Sequence, residues 1–107
     1  MSGRPAAPRH DNDELILSID VPLLQLLPRA GATVGKYKPL ARNVKALVAA
    51  FEGSLTNGEV AGRTQVLMRL GYVTRVQLIP LSQGKGYQVT RKGEALVREH
   101  THGKEEN

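Results

Sequence analysis

The residues able to do proton or metal chemistry in this 107-residue chain are few and badly placed for it. The histidines are His10, His100 and His102, all close to one end or the other. Between Arg29 and Lys92 the only carboxylates are Glu52 and Glu59. A hydrolytic site needs a nucleophile, a base and a group that orients the base, or a metal. No such set is present, so the sequence argues against an enzyme. His100-x-His102 supplies two metal ligands where a zinc site needs three or four. There is no cysteine, which removes disulfides, thiolate metal sites and thiol nucleophiles and fits a reducing compartment. Nothing calls for a cofactor or a small-molecule ligand.

The chemistry that remains is charge. From Arg29 to Lys92 eleven Lys or Arg face two acids, a net +9, while residues 1–28 and 93–107 each carry −2. A basic middle between mildly acidic ends points to a polyanion as partner. Residues 1–10 have no apolar stretch of the signal-peptide kind, and no run of about 18 apolar residues exists to span a membrane. The expected location is cytoplasmic.

The elements that must carry this charge follow from local patterns. One domain with an aliphatic core is expected, since 40% of residues are hydrophobic and only 4% aromatic. Residues 1–12, rich in Pro, Ala and Gly, should be disordered. "ELILSI" (Glu14–Ile19) reads as a strand or the start of a helix, with the strand favoured; it is also a segment through which two chains could pair. Asp20 is placed to cap a helix over "VPLLQLLPR", with Pro22 in its first turn. Pro28, Gly31 and Gly35 make a loop. Pro39 is suited to opening the next helix, in which Leu40, Val44, Leu47, Val48 and Phe51 form one apolar stripe and Arg42 and Lys45 lie off it. Gly53 and Ser54 stop it.

Thr56-Asn57-Gly58-Glu59 fits a capping box and Gly71 a helix end, so a helix is expected over 57–70. Its apolar arc holds Val60, Thr64, Val66, Leu67 and Leu70. Gly58, Gly62, Gln65 and Arg69 lie opposite, on the exposed side. Two glycines cost an isolated helix roughly 0.5–1 kcal/mol each relative to alanine, so something should need to approach that face closely. Arg63 falls in the middle of the apolar arc; its stem should pack and its head pair with Glu59. From Tyr72 to Ile79 the period becomes 2, a strand with an edge or bulge at Pro80. Ser82–Gly86 is a turn, and Tyr87–Val89 returns as a second strand. Thr90 should cap a last helix with a Glu94–Arg98 pair, and 101–107 should fray.

Helix, helix, turn, helix, hairpin, helix resembles the winged helix-turn-helix family of DNA-binding proteins over about residues 20–98. Val60, Leu67, Leu70, Gly71, Tyr72 and Val73 look like its recognition helix running into the first wing strand. "YQVTRKGEAL" (Tyr87–Leu96) is similar to the second wing strand and the helix after it. The resemblance implies an α+β winged-helix domain over 13–100, with a three-helix core, a β-hairpin wing and a C-terminal helix. It further implies double-stranded DNA as partner, transcription regulation as role, helix 57–70 in the major groove and the wing, near Gln83–Lys85, along the backbone.

The residue chemistry agrees. Gly58, Ala61 and Gly62 remove bulk from the helix face, and amides at a helix start can bind phosphate. Gln65 and Asn57 suit adenine. Arg69, Arg42, Lys45, Lys36, Lys38 and Lys85 suit phosphates. Two positions depart from the family pattern: Gly62 stands where a polar or basic residue is usual, and Arg63 where an apolar one is. A rival reading assigns the glycine stripe to a second protein helix, making the chain an interaction or assembly module, a homodimer included; a role in DNA segregation or replication suits the DNA chemistry equally. RNA fits less well, since its duplex hides the major groove and only four aromatics are present to stack bases.

Overall fold

The computed structural model describes residues 14–106; the expectation of a disordered segment over 1–12 falls outside them, and so does His10. The described residues fold as α+β, with four α-helices and two small antiparallel hairpins. In order these are α1 (Leu17–Gln25), β1 (Thr33–Val34), β2 (Lys38–Pro39), α2 (Val44–Ala50), α3 (Asn57–Arg69), β3 (Val73–Gln77), a 3-10 turn (Leu81–Gln83), β4 (Lys85–Val89) and α4 (Arg91–Glu106). No helix among the described residues is long and apolar enough to cross a membrane.

The core is aliphatic apart from Tyr87. Leu23, Leu24 and Leu27 come from α1 and the turn after it, Leu47 from α2, and Val60 and Leu67 from α3. Val73, Tyr87 and Val89 of the sheet and Leu96 of α4 complete it. Each of these burials contributes on the order of 1.5–3 kcal/mol by apolar transfer.

The strand reading of Glu14–Ile19 is corrected: Leu17–Ile19 form the first turn of α1. The carboxylate of Asp20, inside the helix rather than before it, accepts a 2.7 Å bond from the amide of Ile16 and ties down the helix start. Pro22 therefore sits in the helix interior, where it cannot donate to Ser18. A short hairpin, β1–β2, occupies part of the expected loop, with Thr33 opposite Pro39 and Val34 opposite Lys38.

Pro39 belongs to β2 and does not open a helix. The chain stays extended through Arg42, whose N–H donates to the carbonyl of Tyr87 and whose carbonyl accepts from the N–H of Tyr87. Only then does Asn43 cap α2, its Oδ1 accepting from Ala46 N–H at 2.9 Å. Leu40 is consequently outside the helix and exposed, while Val44, Leu47, Val48 and Phe51 pack as the stripe requires.

The capping box of α3 forms as expected: Thr56 Oγ1 accepts from Glu59 N–H, and Glu59 Oε1 accepts from Thr56 N–H. Gly71 leaves the helix at φ +88°. The α3 C-terminus gains a partner from α4, where Lys92 Nζ donates to the carbonyl of Leu70 at 2.7 Å and lies 4.9 Å from the Tyr72 ring centroid.

β3 and β4 pair in register from Val73–Val89 to Gln77–Lys85. Thr90 caps α4 through Gly93 N–H. The helix continues through Glu106, beyond the fraying point expected at 101, and Thr101 Oγ1 donates back to the carbonyl of Val97. Glu94 pairs with Arg29 at 3.5 Å, across from α4, and not with Arg98 one turn along.

Candidate nucleic-acid interface

All ten residues that the sequence points to are exposed. The structure gathers most of them into two groups. The first lies on α3. Gly58, Gly62, Gln65 and Arg69 share the outer face, together with Asn57 at its first position, as helical geometry requires. This face is not a flat surface. It forms one side of a groove of about 590 Å³, and Ile16 and Ile19 at the start of α1 form an apolar wall against it.

Nothing among the described residues requires the two glycines. A Cβ at Gly58 would meet only Thr56 Oγ1, at 3.9 Å, and one at Gly62 would meet nothing within 4 Å. Their φ angles are ordinary, so no backbone strain calls for glycine either. The space above them is open to a partner.

The second group is organised by β4. Arg42 is bonded along its backbone to Tyr87, and Lys85 opens the same strand two residues earlier. The β1–β2 hairpin, carrying Lys36 and Lys38, is anchored to Gln88 of the same strand. The Gln88 amide accepts from Gly31 N–H at 3.2 Å and donates to the carbonyls of Ala32 (3.1 Å) and Leu40 (2.9 Å). Lys45 stands apart, on the exposed side of α2.

Lys85 is not at the tip of the wing. It pairs with Gln77 at the end of the ladder, and the tip is the segment Leu78–Gly84 beyond it. That tip passes through a cis Ile79–Pro80 bond and presents Leu81, 73% exposed, and Ile79. Gln77 Nε2 donates to the carbonyl of Gly84 at 2.8 Å and closes its base. The wing therefore offers Lys85 where its ladder ends and apolar side chains in the loop beyond.

Two residues were missed or misassigned from sequence. Arg75 lies on the hairpin face that carries Lys85, since it faces Tyr87 and Lys85 faces Gln77. Strand alternation puts Arg75 in step with Gln77, but its proximity to Lys85 needs the hairpin register. Arg63 does not pair with Glu59, whose carboxylate is used in the capping box. Its Nε and one NH2 group bind Asp20 in a forked ion pair at 2.9 and 2.7 Å, and that NH2 group also donates to the carbonyl of Glu14. Arg63 is thus a structural cation, spent on the fold.

Comparison with protein-family models, with curated proteins and with solved structures found no match to this chain.

Proposed function

We propose that this chain is a winged helix-turn-helix protein that binds double-stranded DNA, as a small transcription regulator. α3 enters the major groove, and the β3–β4 wing follows the backbone. The observation that carries the reading is the outer face of α3: two exposed glycines that no contact among the described residues explains, beside exposed Gln65 and Arg69. The element order α1, α2, α3, β3, β4, α4 and the net positive charge of residues 29–92, +9 by sequence with Arg63 neutralised inside the fold by Asp20, support it. In this role Gln65 and Asn57 meet base edges, and Arg69, Arg42, Lys45, Lys36, Lys38 and Lys85 meet phosphates.

A mobility-shift titration on random-sequence duplex across a salt series tests the reading. With about 4–6 phosphates neutralised, log K against log salt should slope by roughly −3.5 to −5.5. A folded protein with no detectable binding at low salt overturns it.

The Ile16–Ile19 wall favours a second reading on the same face. An apolar flank beside Gly58 and Gly62 suits an incoming protein helix, which would make the chain an assembly module or a homodimer. Sedimentation of the isolated chain distinguishes this reading.

A further inference from the structure

We infer that the β1–β2 hairpin is a second DNA-contacting arm, in which Tyr37 packs on the sugar-phosphate backbone between the phosphates held by Lys36 and Lys38. The inference rests on the DNA-binding reading and extends it to an element outside the helix-turn-helix and the wing.

Three observations carry it. First, the tip is exposed. Tyr37 is 82% exposed and Val34 54%, and Lys36 and Lys38, which flank Tyr37 in the chain, are exposed too. A tyrosine left in water offers a flat ring and a hydroxyl donor to a partner. Second, the hairpin is held in place. Gln88, 2% exposed, spends its whole side-chain amide on Gly31, Ala32 and Leu40 at the hairpin base. The carbonyl of Ala32 also accepts from Leu40 N–H, and Thr33 Oγ1 donates to the carbonyl of Gly35 in the turn. So many bonds at the base of two-residue strands hold the tip in one position, which lowers the ordering cost of binding.

Third, the charge selects the partner. From Val21 to Phe51 there are five cations and no acid. An exposed aromatic flanked by lysines in an acid-free stretch matches a polyphosphate backbone, to which Lys and Tyr side chains both donate. The hairpin is tied to β4, the strand that Lys85 of the wing opens, through Gln88, three residues further along it.

The test uses the full chain with Lys36→Ala/Lys38→Ala, Tyr37→Ala and Tyr37→Trp, all at exposed positions. The lysine pair variant should reduce affinity for a random-sequence duplex roughly tenfold and make the salt slope shallower by about 1.8, for two phosphates lost. Tyr37→Ala should reduce affinity at least about tenfold, the worth of one hydrogen bond to a charged acceptor. The chain has no tryptophan, so Tyr37→Trp introduces a sole reporter. Saturating duplex should shield it from acrylamide quenching. If the parent binds duplex while the lysine and alanine variants bind equally well with the same slope, the hairpin inference falls and the DNA-binding reading stands. Full acrylamide access at saturation has the same meaning, as does shielding by anionic phosphatidylserine vesicles alone. If the parent itself does not bind duplex, the DNA-binding reading fails and takes the hairpin arm with it.

Discussion

Arg63 of α3 grips Asp20 of α1 with two hydrogen bonds, 2.9 Å from Nε to Oδ1 and 2.7 Å from NH2 to Oδ2. Asp20 is fully buried and the Arg63 side chain only 12% exposed. The pair joins the helix proposed to read DNA to the first helix of the core. It also occupies the carboxylate that holds the start of α1 through Ile16 N–H. One carboxylate thus has three donors, which is the condition under which a buried charge is tolerable.

Breaking this pair should be costly. Arg63→Met leaves the Asp20 charge buried without its cation and should lower stability by about 3–5 kcal/mol, read from urea unfolding. Adding Asp20→Asn should recover a substantial part, because the stranded charge is removed. Glu59→Gln touches only the exposed capping box and should cost less than about 1 kcal/mol. Equal losses for Arg63→Met and Glu59→Gln would show that the buried pair does not hold α1 to α3.

The glycines divide into two kinds. Alanine at both Gly58 and Gly62 meets open space and should raise stability by up to roughly 1–2 kcal/mol. DNA affinity should fall nevertheless, because the new methyl groups stand between the helix and its partner. If sedimentation shows lost self-association with unchanged DNA affinity, the face belongs to a protein interface. Gly93→Ala should do the reverse to stability. Its Cβ would collide with the carbonyl oxygen of Tyr72 and, at 2.6 Å, with Val89 Cγ2. A loss of about 1–3 kcal/mol is expected in thermal unfolding although the residue is helical.

Gln65 and Lys85 should give different binding signatures. Gln65→Ala should lose roughly 1–3 kcal/mol on a preferred site and little on random duplex. Lys85→Ala should weaken both by a similar factor and make the salt slope shallower by about one unit. Neither side chain is in the core, so circular dichroism should be unchanged. Binding equal to the parent in both variants would remove α3 from the groove.

Gln88→Leu should loosen the β1–β2 hairpin without unfolding the domain. It removes three hydrogen bonds from a buried site, at about 0.5–1.5 kcal/mol each. Amide exchange should accelerate at Gly31 and Leu40 first. Uniform acceleration across α3 and β4 would mean that Gln88 holds the core and not the hairpin.

Much of the fold is legible in the sequence where the signal is local. The Thr56–Glu59 box depends on residues three apart, so it can be read before any packing is known. Strand alternation after Gly71, the Thr90 cap and the exposed stripe of Gly58, Gly62, Gln65 and Arg69 are equally short-range. Tertiary structure decided the rest, through contacts whose partners are distant in the chain. Nothing near Asp20 announces Arg63, 43 positions later, so the sequence alone offers Glu59 as the partner. The backbone bonds of Arg42 to Tyr87 delay α2 until Asn43, against the local suggestion of Pro39. The register of β3 on β4 moves Lys85 from the wing tip into the last ladder pair beneath it and places Arg75 on the same face. The charge of the surface could be counted from sequence. Which cations it presents to a partner and which it spends on the fold was settled by burial, because a charged group withdrawn from water must find its counter-ion wherever the chain brings one.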